Sequence, residues 1–262
     1  MENRIIQYQN KNIYYRLTGN GKPVVLLHGF GEDGNIWNGL ISGLQEKYQL
    51  IVPDIPGSGN SEMLEEENAS IEDYAEVLKA ILQEEKITQC CMIGHSMGGY
   101  IALAFAEKYP GYLNGLGLFH SSAFADDEEK KQTRRKAIEF IKEKGAYAFL
   151  KTAIPKLFAG KQHLAEMEAL IEKGKQFTSE ALIQYYNAMI NRPDTTHVLS
   201  SFLQPVLFII GEKDNAIPLQ PSLQQSHLPA RAHVQILDTG HMGMVEKSTE
   251  SLQILHSFLE NV

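Results

Sequence analysis

With 262 residues, 43% of them hydrophobic, the chain is long enough for one large α/β domain, with or without a sizeable insertion. Its formal net charge of −8 counts against nucleic acid or an anionic membrane surface as a partner, because an acidic protein is not drawn to a polyanion. Neutral and ester-like small molecules stay open.

The start, Met1-Glu2-Asn3-Arg4, is polar and offers no apolar stretch of signal-peptide length, and no later run approaches a membrane span. Ile5–Tyr8 and Ile13–Arg16 flank Gln9-Asn10-Lys11-Asn12, the pattern of an antiparallel hairpin. The apolar run Val24–His28 reads as a buried strand and feeds into Gly29-x-Gly31-x-x-Gly34. A helix over Asn35–Tyr48 and a strand over Leu50–Pro53 follow, then Asp54. Strand, glycine loop, helix and a later acid together match the fingerprint of a dinucleotide-binding fold.

Further on, the spacing predicts a helix over Ser70–Glu85, a strand over Cys90–Gly94, a helix over Met97–Tyr109 and a strand over Gly115–Phe119. Cys90 and Cys91 are the only cysteines. Neighbours in a strand face opposite ways, so the two are not expected to pair, and they lack the spacing of a zinc or redox motif. They read as buried filler in a cytoplasmic protein. Strands are expected again at Val206–Gly211 and Val234–Leu237, with helices at Gln220–Ser226 and Lys247–Leu259. Short apolar strands separated by helices imply a mostly parallel, doubly wound sheet of about eight strands.

The alternation breaks over residues 123–203. That stretch opens on Asp126-Asp127-Glu128-Glu129-Lys130-Lys131, carries helical patterns at Lys136–Lys144, His163–Lys175 and Ser179–Ile190, and contains no convincing strand. It reads as an all-helical cap inserted into a core made of residues 1–122 and 204–262. The charge run is expected to be a solvated helix face.

The strand at Cys90 ends in Gly94-His95-Ser96-Met97-Gly98, a Gly-x-Ser-x-Gly turn between strand and helix. A turn this tight strains the serine backbone, and side chains two residues to either side would collide with it; glycine removes them. The result is an exposed hydroxyl at the carboxyl end of a sheet. A serine alcohol needs a base, and the base needs an orienting acid. The strand Val206–Gly211 runs into Glu212-Lys213-Asp214, and Val234–Leu237 runs into Asp238-Thr239-Gly240-His241. Acid and histidine thus fall at the ends of successive strands, in the order Ser, Asp, His.

Here the sequence resembles the α/β-hydrolase family along nearly its whole length. The resemblance covers the hairpin, the His28-Gly29 loop, Asp54-x-Pro56-Gly57-x-Gly59-x-Ser61, the serine turn, the helical insertion and the terminal Asp and His loops. It implies that Ser96 is the nucleophile, His241 the general base and Asp214 its orienting carboxylate. It also implies an oxyanion hole from the backbone N–H groups of Phe30 and Met97. The glycines would then admit a reacting carbonyl and not a phosphate, and Asp54 would belong to a turn-rich loop.

Asp238 and, more weakly, Glu212 are rivals to Asp214. His95 is expected to be structural, and His28 to shape its loop through hydrogen bonds. His120 either lines the substrate pocket or caps its strand, while Phe30, Met97, Ile217 and Met242 abut catalytic positions and are expected at the pocket. Trp37 and most of Tyr147, Phe149, Phe158, Phe177, Tyr185 and Tyr186 read as packing. No cluster has metal-ligand spacing and no cofactor is expected. The leading expectation is a serine hydrolase acting on a small or medium carboxylic ester. The alternative is a small-ligand receptor or signalling protein of the same fold with slow or no turnover. Natural substrate and oligomeric state are not encoded legibly.

Overall fold

The computed structural model describes residues 1–66 and 68–262. It opens on a hairpin of β1 (Glu2–Tyr8) and β2 (Lys11–Thr18), closed by Gln9 and Asn10, both at positive φ (47° and 62°). A two-residue turn of that hand matches the natural strand twist, so the four polar residues shrink to two. Then come β3 (Lys22–Leu27), α1 (Asn38–Leu44), β4 (Tyr48–Pro53), α2 (Ile71–Glu84), β5 (Cys90–His95), α3 (Met97–Lys108) and β6 (Leu113–Phe119). Five helices follow before the next strand: α4 (Glu128–Lys144), α5 (Ala146–Ala153), α6 (Leu164–Lys173), α7 (Ser179–Asn191) and α8 (Thr196–Ser201). The chain closes with β7 (Val206–Gly211), α9 (Leu219–Gln225), β8 (Ala232–Leu237), α10 (Gly243–Glu246) and α11 (Ser248–Leu259).

All eight strands form one sheet in the order β1-β2-β4-β3-β5-β6-β7-β8. β2 pairs antiparallel with β1 and with β4, and every later pairing is parallel. Every residue of β5 and of β7 is buried, as expected of parallel strands covered on both faces. Because β3 and β5 to β8 run the same way, their carboxyl ends share one edge. His28, Ser96, His120, Asp214 and His241 all lie on the loops there.

Four helices differ from the sequence expectation. The helix after the glycine loop is shorter: Asp33 accepts the Asn35 N–H (2.9 Å) and starts a 3-10 turn over Gly34–Trp37, and α1 ends at Leu44 because Tyr48 already begins β4. The helix expected from Lys136 begins eight residues earlier, where Asp127 caps the Lys130 N–H (2.8 Å) and Glu128 and Glu129 occupy the first turn. Nor is the charge run wholly solvated. Asp126 is buried, held by Arg134 and by Arg192 (3.0 Å). Finally, α5 and α8 are short helices that the periodicity did not resolve. Among the described residues, no helix is long and apolar enough to cross a membrane.

Candidate active site

The serine turn has the strain its sequence demands. Ser96 sits at φ 51°, ψ −117°, a region that non-glycine residues rarely occupy. A Cβ on Gly94 would fall 2.2 Å from the Gly98 carbonyl oxygen, and one on Gly98 2.5 Å from that of His28. The turn is pinned on both sides, by the Ser96 N–H donating to the Phe119 carbonyl (3.0 Å) and by Ser121 Oγ–H donating to the Ser96 carbonyl (2.7 Å). The side chain of Ser96 remains half-buried at the start of α3.

His241 Nδ1 lies 2.7 Å from Asp214 Oδ2, and both side chains are almost wholly buried. The other carboxylate oxygen accepts the N–H groups of Ala216 (2.8 Å) and Ile217 (2.9 Å), which fixes the plane of the acid. Burial alone would push the Asp214 pKa up. The His241 charge and hydrogen bond, the nearby His120 and the Ile217 N–H outweigh it and lower the pKa to about 2. Asp214 is therefore a fixed anion, and His241 carries its Nδ1 proton toward it. Among the described residues, Ser96 Oγ and His241 Nε2 make no hydrogen bond with each other.

The rival acids separate cleanly. Asp238 is 62% exposed and pairs with Lys213 at the surface (2.5 Å), and Glu212 is exposed. Neither hydrogen-bonds to His241.

The glycine loop folds back against the serine. A Cβ on Gly29 would come within 3.1 Å of Ser96 Cβ. Among the described residues neither the Phe30 N–H nor the Met97 N–H has a hydrogen-bond partner. They are two free donors beside the hydroxyl. The loop is unsuited to a pyrophosphate. Gly29 N–H already donates to Glu32 (2.7 Å) and Gly34 N–H to Asp54 (2.9 Å), so carboxylates hold the positions that a phosphate would need. Asp54 also accepts the Asn60 N–H (3.0 Å) and braces its own loop. His28 likewise ties loops together, accepting the Ile55 N–H (2.9 Å) and meeting Ser58 Oγ (2.8 Å).

His120 packs behind the acid. Its side chain is fully buried; Nε2 accepts the Gly243 N–H (3.1 Å), which leaves the proton on Nδ1, 3.6 Å from Asp214. Desolvation drives its pKa well below the ordinary imidazole value, so it stays neutral behind the acid. Met242 and Ile217 are also buried, at 0% and 5% exposure, and the Met97 side chain packs inside. Trp37 packs against Phe119. Of the expected pocket residues, Phe30 alone is partly exposed. It stacks on Tyr186 (4.3 Å between centroids) and meets Phe149 and Tyr185 edge-on. The helices between β6 and β7 therefore lie over the glycine loop, and the Leu157 carbonyl accepts the His241 N–H (2.6 Å) from the same side. The sequence reading missed Glu32, whose buried carboxylate joins Gly29 to His95; the signal was an acid placed four residues after His28.

Fold and site together define a class. The model of the alpha/beta hydrolase fold matches residues 22–248, and the chain belongs to that family. A pimeloyl-[acyl-carrier protein] methyl ester esterase from Aeromonas hydrophila is 26% identical over 261 residues, covering 92% of this chain and 96% of that protein. A 30 kDa magnesium-chelatase subunit from Rhodobacter capsulatus is 28% identical over 243 residues, 85% of this chain and 81% of that one. Among solved structures, a thermophilic esterase from Thermogutta terrifontis superimposes with a TM-score of 0.92 at 27% identity, over 100% of this chain and 99% of that one.

Proposed function

We propose that this chain is a serine hydrolase that cleaves a small or medium carboxylic ester through an acyl-enzyme on Ser96. The observation that carries the reading is the buried His241–Asp214 hydrogen bond of 2.7 Å on the loop edge that also bears the strained Ser96. With its Nδ1 proton committed to Asp214, His241 has Nε2 as the acceptor for the serine proton. Ser96 Oγ bonds to the ester carbonyl carbon, and the carbonyl oxygen takes up the negative charge. The N–H groups of Phe30 and Met97 stabilise it, each worth roughly 3–4 kcal/mol in the transition state. His241 then gives its proton to the departing alcohol. Water repeats the sequence on the acyl-enzyme and releases the carboxylic acid. The missing Ser96–His241 hydrogen bond does not count against this, since such bonds commonly tighten only when substrate is bound.

The helices of residues 123–203 serve as the cap in this reading. Tyr186 and Phe149 packed on Phe30 give substrate an apolar wall beside the glycine loop, and the Leu157 carbonyl holds the His241 loop to the cap. Relatives named as esterases over nearly full length support the ester reading.

Steady-state hydrolysis of p-nitrophenyl esters from acetate to decanoate tests the proposal. Multiple turnovers that vanish in Ser96→Ala are expected, and the preferred chain length sizes the pocket. A single burst near one equivalent, or turnover that survives the substitution, would overturn it, and the burst would favour a ligand receptor instead.

A further inference from the structure

A second buried histidine–carboxylate pair lies beside the first. Glu32 and His95 have side chains 5% and 1% exposed, and His95 Nδ1 is 2.9 Å from Glu32 Oε2. The same carboxylate oxygen accepts the Gly29 N–H at 2.7 Å. On the far side of the ring, His95 Nε2 is 2.9 Å from the backbone carbonyl of His241. Three loops meet at this pair: the glycine loop through Gly29, the serine turn through His95, and the histidine loop through His241.

The partners dictate the charge. With Glu32 ionised, its oxygen and the His241 carbonyl oxygen are both acceptors, so both ring nitrogens must donate. Beside an ionised Glu32, a neutral imidazole with its one proton would leave one of these contacts as a repulsion between lone pairs. Burial works against charge on both groups. Even so, the neighbouring imidazolium holds Glu32 below the usual carboxylate range, and Glu32 with the His241 carbonyl holds His95 above the usual imidazole range. The other titratable groups around the ring are His241 (4.8 Å between centroids), His120 (6.1 Å) and, behind them, Asp214.

We propose that Glu32 and His95 are positioning residues: a buried ion pair that fixes the oxyanion loop and the His241 loop in register around Ser96. His95 carries a functional load although it touches no substrate. The pair rests on the hydrolase reading for its kinetic consequence, but not for its own existence.

Glu32→Gln is the sharpest probe because it is nearly isosteric. An amide oxygen could still accept from both Gly29 and His95, but then an imidazolium is buried without a counter-charge; a neutral His95 instead gives up one of the three contacts. The expected result is a kcat lowered about 10- to 100-fold, the scale of a small misplacement of catalytic groups, with KM within about twofold of wild type. His95→Gln should cost a similar factor, and the double variant no more than the worse single one, because the two act as a unit. Independently of turnover, nuclear magnetic resonance of ¹⁵N-histidine-labelled wild type at pH 7 should show protons on both nitrogens of His95. The Nδ1 proton should disappear in Glu32→Gln.

A kcat change under twofold in either single variant, or losses that multiply in the double variant, would overturn the positioning role. A singly protonated His95 in wild type would overturn the ion pair, including where a variant does not fold. If wild type turns over no ester at all, the hydrolase reading fails, and the ring-proton count still decides the pair.

Discussion

The two histidine–carboxylate pairs have the same chemistry and differ in what meets the second nitrogen of each imidazole. In the Asp214–His241 pair, Nδ1 meets the acid and Nε2 has no hydrogen-bond partner among the described residues; in the Glu32–His95 pair, both nitrogens are taken. A ring with one free nitrogen can accept and return a proton. A ring held at both ends can only carry charge and hold position. Burial is nearly equal in the two, so it does not distinguish a base from a strut. The distinction lies in the count of acceptors around the ring.

That contrast can be broken most severely at the serine and base. Ser96→Ala should lower kcat by a factor on the order of 10⁵ or more without loss of fold, checked by circular dichroism alongside the ester assay. Asp214→Asn should cost about 10⁴-fold by favouring the wrong tautomer of His241, while Asp238→Asn stays within about twofold. The reverse ordering would transfer the orienting role to Asp238. Below these comes Glu32→Gln, already described, at about 10- to 100-fold.

Stability sharpens the comparison. The Asp214 pKa is lowered to about 2 in the folded chain from an ordinary 3.8. A lowered acid contributes stability above its unfolded pKa, and that contribution is lost as pH falls from about 4 to 2. Roughly 2 kcal/mol should therefore separate the acid limbs of wild type and Asp214→Asn in urea unfolding between those values. Gly98→Ala should destabilise by about 1–3 kcal/mol or more, because its Cβ meets the backbone oxygens of His28 and Leu27, which no rotamer can move aside. The smallest effect is expected at the helices above the site. Tyr186→Leu removes the stack on Phe30, worth about 0.5–1.5 kcal/mol, and should raise KM more than it lowers kcat.

What the sequence made legible follows from how local each constraint is. The serine turn is set by five neighbouring residues whose glycines are required by close backbone approach, so Ser96 could be read directly. Asp214 and His241 stood out in the sequence because each lies three or four residues past the end of a strand. The glycine loop was ambiguous: Gly29, Gly31 and Gly34 fit two folds, and only the carboxylates of Glu32 and Asp54 on their amides decide between them. Contacts across the molecule stayed hidden. No local pattern shows that Glu32 reaches His95, 63 residues away, or that the His120 ring lies 3.6 Å from Asp214. The helices of residues 123–203 were the least legible. Their boundaries depend on caps such as Asp127 and on the buried Asp126–Arg192 pair, neither of which has an apolar period to announce it.

The central claim is that Ser96 is an activated nucleophile and that His241 activates it. Labelling with a fluorophosphonate followed by peptide mass spectrometry reads this directly, with no need to know the substrate. The account predicts one phosphonyl adduct per chain, on Ser96, formed quickly in wild type and at least about a thousandfold more slowly in His241→Gln. An adduct on another residue, or labelling of Ser96 that is indifferent to His241, would contradict it.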